Sequence, residues 1–121
     1  MDINQPPILF FCKKLDLPTI NKAILYVRTN EQTSTLRIVH VHSGDEGTME
    51  KNFAQIVAMF DRIYPKLKID FVSIHGSFTP ELIEWISLNC NVAKNMMFIK
   101  QPDHYFAHTI AKLGGVRVIT G

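Results

Sequence analysis

Histidines and small polar residues stand at two points of the sequence where an apolar run ends. His42 and Ser43 follow the run at residues 36–41, and His75, Gly76 and Ser77 follow the run at residues 69–74. Imidazole nitrogens, hydroxyl groups and glycine N–H groups can hold small polar ligands or anions. In α/β proteins, ligands gather beyond the carboxyl ends of the strands. These five residues are therefore our ligand-binding candidates.

The second of these two segments also has a simpler interpretation. Thr79 can cap a helix, Pro80 suits the first helical position, and Glu81 favours the positive end of the helix dipole. The Glu81 carboxylate would repel an anion bound at the same helix start. We therefore interpret residues 76–80 mainly as a connector between a strand and a helix, with ligand binding as the alternative.

Two groups of residues have types that suit a metal ion. The first group consists of His40, His42, Asp45, Glu46 and His75. The second is the pair His104 and His108, four residues apart on a predicted helix. Tyr105 holds the place of the glutamate in the His-Glu-x-x-His pattern, and the first group matches no defined motif. We expect no metal, no cofactor and no catalytic residue; a small metal-dependent hydrolase is the third-ranked interpretation.

The pattern of apolar residues predicts the elements that would position these side chains. Strands are predicted at residues 7–12, 36–42, 69–74, 96–99 and 116–120, and helices near 20–27, 49–64, 80–90 and 104–113. Residues 23–27 alternate as a strand would, but the polar segment at 28–35 favours a helix there. Strands in which apolar and polar residues do not alternate are typically buried on both faces of the sheet. The sequence thus predicts a three-layer α/β/α sandwich, Rossmann-like, with a mostly parallel five-stranded sheet.

Size and composition place the chain among ordinary globular domains. Its 121 residues are 46% hydrophobic and 20% charged, which predicts one domain with a real core. The net charge of +2 and the scattered lysines and arginines give no indication of nucleic-acid binding. Cys12 and Cys90 lie in apolar stretches and are expected to be two buried free thiols. We expect neither a signal peptide nor a membrane-spanning segment within these residues.

Two surface features are weaker signals. Lys13 with Lys14, and Arg62 with Lys66 and Lys68, form small basic clusters that are compatible with an anionic membrane surface. A solvated face is the favoured interpretation of both clusters. Met59, Phe60 and Trp85 are interpreted first as core residues and second as a partner surface.

Several segments, taken in order, resemble one protein family. They are PILFF at residues 7–11, LPTINKAILYVRTNEQT at 17–33, KIDFV at 68–72, FTPELIE at 78–84, KNMMFI at 94–99, and His108 followed by LGGVRVI at 113–119. From about Pro6 to Thr120 the chain resembles the soluble C-terminal cytosolic domain of amino acid permeases of the amino acid–polyamine–organocation transporter superfamily.

The resemblance implies a fold similar to universal stress proteins and a single domain, residues 1–121, that is a fragment of a larger membrane transporter. It implies a non-enzymatic regulatory or assembly role at the cytoplasmic face of a membrane. The implied partners are the transmembrane part of the same transporter and a second copy in a homodimer. ATP-binding stress proteins carry a glycine-rich loop near the last strand; here only Gly114 and Gly115 occur, which argues against nucleotide binding. The alternative function is a universal-stress-type sensor of a small ligand or nucleotide.

Overall fold

The computed structural model describes residues 7–12, 16–30, 35–42, 44, 47–77, 79–100 and 116–119. Strands and helices alternate along these residues. The elements are β1 (Ile8–Phe11), α1 (Leu17–Asn30), β2 (Thr35–His42), α2 (Gly47–Ile63), β3 (Lys68–His75), α3 (Pro80–Cys90), β4 (Met97–Lys100) and β5 (Arg117–Ile119), with a short 3-10 helix at Lys94–Met96. The α/β class is confirmed, and residues 23–27 belong to a helix.

All strand pairs are parallel, and the sheet has the order β3-β2-β1-β4-β5. β1 is therefore central, between β2 and β4, and β3 lies at an edge. β3 pairs with β2 along its full length, from Thr35 opposite Lys68 to His42 opposite His75. We call the side on which the strands begin the amino edge of the sheet and the side on which they end the carboxyl edge.

The helices cover both faces of the sheet. One core cluster joins α1 and α2 to the sheet through residues such as Ile24, Phe53 and Phe10. The other joins α3 to the opposite face through Ile83 and Ile86. Adjacent strand residues point to opposite faces, so Leu9 and Phe10 enter different clusters. This arrangement is the predicted three-layer sandwich.

Local capping residues set the bounds of α3. The Thr79 side chain accepts a hydrogen bond from the Leu82 N–H at 3.2 Å, and Pro80 occupies the first turn. At the other end Asn91 has the left-handed conformation, with φ 55 and ψ 48, and its N–H bonds the Ser87 carbonyl oxygen. Both ends lie where the sequence predicts them.

Three expectations need correction or fall outside the described residues. The predicted strand at 116–120 is described as the three-residue edge strand Arg117–Ile119, so four strands of the sheet have four or more residues. Cys90 is free but exposed, because Val92, after the turn at Asn91, is the residue that enters the core; Cys12 is free and buried. The predicted helix at 104–113 lies outside the described residues.

Candidate functional site

The ends of β2 and β3 bring together three of the five candidate residues. His42 and His75 are register partners, and their ring centroids lie 5.4 Å apart with the planes nearly perpendicular. The Gly76 N–H donates a 2.7 Å hydrogen bond to the His42 carbonyl oxygen. His75 and Ser77 are exposed, whereas Ser43 lies outside the described residues. The structure thus brings His42, His75 and Gly76 together at the carboxyl edge.

The His42 ring has an acceptor at each nitrogen. Nε2 lies 2.9 Å from Oε1 of Glu50, and Nδ1 lies 2.8 Å from the carbonyl oxygen of Gly44. The side chain is only 8% exposed, so water has little access to it. A carbonyl oxygen and a carboxylate can only accept, so both contacts are hydrogen bonds when the ring is doubly protonated. In that form His42 links the loop after β2 to the start of α2.

Glu50 joins this histidine to the neighbouring strand. It lies in the first turn of α2, and its Oε1 also accepts a 2.8 Å hydrogen bond from the Ser73 hydroxyl group. Ser73 stands on β3, on the same face as His75. One carboxylate oxygen thus bonds side chains of β2 and β3 at once. We call these residues the His42–Glu50–Ser73 network.

His40 lies deeper in the sheet than the sequence suggested. His40, which the sequence groups with possible metal ligands, is only 2% exposed. Its Nδ1 donates to the Cys12 carbonyl oxygen at 3.0 Å. Its ring stacks on Phe53 with centroids 4.7 Å apart, and Phe53 stacks in turn on Phe71 at 5.2 Å. His40 is therefore a packed and hydrogen-bonded core residue.

The described residues form no cluster of metal ligands. Within residues 7–12, 16–30, 35–42, 44, 47–77, 79–100 and 116–119, no three His, Cys, Asp or Glu side chains are placed to hold a metal ion. Asp45, Glu46, His104 and His108 lie outside these ranges. Across the same ranges, no buried side-chain nitrogen or oxygen lacks a hydrogen-bond partner. The buried polar side chains of the described part of this edge are therefore hydrogen-bonded within the domain.

The candidate residues stand away from the usual ligand position of such a sheet. In doubly wound folds ligands bind at the carboxyl edge where the strand order reverses. Here that point lies between β1 and β4. His42 and His75 end β2 and β3, so they lie to one side of the point where the strand order reverses. The segments that follow β1 and β4, residues 13–15 and 101–110, lie outside the described residues.

Sequence reasoning missed the partners that organise this edge. Glu50, Ser73 and Phe53 belong to no sequence motif. The one signal for them in the sequence was the polar Ser73 within the apolar run of β3.

Among the described helices, none has the length and apolar character needed to cross a bilayer. Comparison of the chain with protein-family models, with curated proteins and with solved structures finds no match.

Proposed function

We propose that this chain is a non-enzymatic cytosolic regulatory or assembly domain of an amino acid transporter. The proposal combines the ordered sequence resemblance with the α/β class that this resemblance implies. Two of the resembling segments, at 68–72 and 94–99, supply most of β3 and β4, and a third, at 78–84, supplies the capped start of α3. In this interpretation the fold is universal-stress-protein-like, and the domain acts from the cytoplasmic face of a membrane.

The observation that carries the proposal is the use of polar side chains at the carboxyl edge. His42, Glu50 and Ser73 bond one another, and the Gly76 N–H bonds the backbone of β2. These contacts stabilise the junction of two strands and a helix. Such a role suits a domain that holds its shape and presents surfaces to other proteins.

The decisive test is the complete gene product. We expect a run of hydrophobic spans before residue 1, and we expect the full-length protein to sediment with membranes. Deleting residues 7–121 from that protein should change the amount or regulation of uptake while leaving solute selectivity unchanged, because the translocation pathway lies elsewhere. A full-length product that is a stand-alone soluble protein would refute the proposal.

A small-ligand or nucleotide sensor is the second candidate function. The observation that favours it is the exposure of His75 and Ser77 beside Gly76 at the carboxyl edge. A ligand there would contact these groups together with the loop after His42 and Ser43. Isothermal calorimetry with ATP, AMP and inorganic phosphate tests this function. Heat that saturates, and that His75→Ala with Ser77→Ala removes, supports the sensor; flat titrations at millimolar ligand oppose it.

We further propose that the domain forms a homodimer through β3. This eight-residue strand lies at the sheet edge and pairs with β2 without a bulge. Long regular edge strands offer unpaired backbone groups to another chain. Light scattering of the purified domain should give twice the monomer mass. The Gly76 N–H bonds β2, so the preceding N–H, that of His75, lies on the free side of β3, and His75→Pro should weaken the dimer without breaking a bond to β2. A monomeric mass for the unmodified chain contradicts this proposal.

A further inference from the structure

Exposed cations cluster at the amino edge of the sheet. α1 ends in this region with Arg28 in its last turn, α2 ends with Arg62 and Ile63, and β3 begins at Lys68 after Lys66 in the turn. All four cations are exposed, and Ile63 between them is 55% exposed. We call Arg28, Arg62, Ile63, Lys66 and Lys68 the basic surface.

Packing holds the basic surface in place. A cleft of about 440 Å³ is lined by Arg28 and by residues 63–67. The Arg28 guanidinium lies over the Tyr64 ring, 5.3 Å from its centroid, and the Tyr64 hydroxyl group donates to Asn21 at 2.7 Å. These contacts join the end of α1 to the turn before β3. The cations therefore project from a defined shape.

The two described carboxylates near this surface bond other groups. Asp61 turns inward, where its Oδ1 accepts a 2.8 Å hydrogen bond from the Ile69 N–H. Asp70 pairs with Arg37 at 3.8 Å. Among the described residues of this edge, the four cations of the basic surface stand beside the carboxylate of Asp61. The described part of the amino edge therefore carries an excess of positive charge.

The path of the chain gives this edge an orientation. β1 begins at Ile8, so any segment that precedes Pro7 joins the domain at the amino edge. If membrane spans precede the domain, as the proposed function holds, they keep this edge close to the bilayer. The cytoplasmic leaflet is anionic and attracts basic residues near a membrane anchor. The aliphatic parts of the lysine and arginine side chains, together with Ile63, suit the boundary between lipid headgroups and acyl chains.

We propose that the basic surface binds the anionic headgroups of the membrane to which the domain is attached. The attached domain would rest on the bilayer with its amino edge inward and its carboxyl edge, with His75 and Ser77, toward the cytosol. Binding would be weak for the free domain and effective for the tethered one, because a tether raises the local concentration. The orientation rests on the proposed function; the lipid affinity is a property of the surface itself.

Vesicle sedimentation of the 121-residue chain tests the lipid affinity. The vesicles contain phosphatidylcholine alone or with phosphatidylserine, at about 0.1 M salt, where exposed charges are screened beyond roughly 10 Å. We expect binding only to the anionic vesicles and release at high salt. Each neutralised cation should lower the partition coefficient about fivefold, the factor that corresponds to about 1 kcal/mol per Lys or Arg near an anionic surface. Lys66→Gln with Lys68→Gln should therefore lower it roughly 25-fold.

The matched control removes the same charge elsewhere. Lys22→Gln with Lys51→Gln changes two exposed lysines away from the amino edge and should leave most of the binding intact. Circular dichroism should show that both variants are folded. Three results would overturn the proposal: no binding to anionic vesicles, equal losses in the two double variants, or equal affinity for soluble phosphoserine. If the sequence upstream of residue 1 contains no membrane spans, the transporter function is refuted. The lipid affinity of the basic surface is tested separately, by the vesicle experiment.

Discussion

The Glu50 carboxylate should contribute more to stability than its partial exposure suggests. Its Oε1 accepts from the Ser73 hydroxyl group and from the His42 ring, whose side chain is 8% exposed. Loss of an ordinary hydrogen bond, such as the bond from Ser73, costs about 1 kcal/mol, and loss of a buried hydrogen bond to a charged group costs about 1.5–3 kcal/mol. Because the Glu50 side chain is 40% exposed, we reduce the figure for the His42–Glu50 contact to about 1 kcal/mol. Glu50→Ala should therefore lower the free energy of unfolding by about 2 kcal/mol.

Two comparisons separate the network from other effects of this substitution. Glu81→Ala removes an exposed carboxylate from the first turn of α3, so it reports the loss of a favourable helix-dipole interaction alone, a few tenths of a kcal/mol. Glu50→Gln keeps an oxygen in place of Oε1 and should cost about half as much as Glu50→Ala. Urea unfolding followed by circular dichroism measures all three, with an unchanged urea dependence as the sign of intact folding.

A double-mutant cycle with Ser73→Ala provides the refutation. The coupling free energy between Glu50 and Ser73 should be about 0.5–1 kcal/mol. If the coupling is zero, and if Glu50→Ala costs no more than Glu81→Ala, then the side chains at this edge are solvated independently. The network would then have no role in joining β2, β3 and α2.

Three further substitutions or modifications test the packing. Thr79→Ala should lower the free energy of unfolding by about 1 kcal/mol, because the Leu82 N–H loses its cap, whereas Thr79→Ser should be nearly neutral in the same urea assay. Phe53→Ala should lower the free energy of unfolding by about 3–5 kcal/mol, because it removes a fully buried ring from between His40 and Phe71. A decrease below about 1 kcal/mol in thermal unfolding would contradict this packing. Iodoacetamide should alkylate Cys90 in the native protein and Cys12 only after unfolding, as peptide mass spectrometry would show.

The fold class could be predicted because it depends on local signals. Apolar runs mark strands buried on both faces, and Thr79, Pro80 and Asn91 bound α3 through contacts within a few residues. Strand order could not be predicted, because the pairing of β1 with β4 joins residues far apart in sequence. The environment of Cys90 was missed for a related reason. The turn at Asn91, and not helical periodicity, decides which side chain enters the core at that end.

Only the position of the candidate residues after two strands could be predicted from the sequence. His42 and His75 meet because β2 and β3 are neighbours in the sheet, which is part of the strand order. Their surroundings depend on how α2 packs across the sheet. That packing places Glu50 between His42 and Ser73 and seats Phe53 against His40. No spacing along the chain encodes these contacts.

The central position of β1 has a consequence for synthesis on the ribosome. β2 can pair with β1 soon after it emerges, but the other side of β1 waits for β4. At about 5–20 residues per second, the segment from His42 to Lys100 takes roughly 3–12 s to make. During that interval the unpaired side of Leu9, Phe10 and Phe11 is open to pairing with other nascent chains. Slow translation between these two strands would therefore favour aggregation, and a chaperone that shields β1 would favour the native sheet.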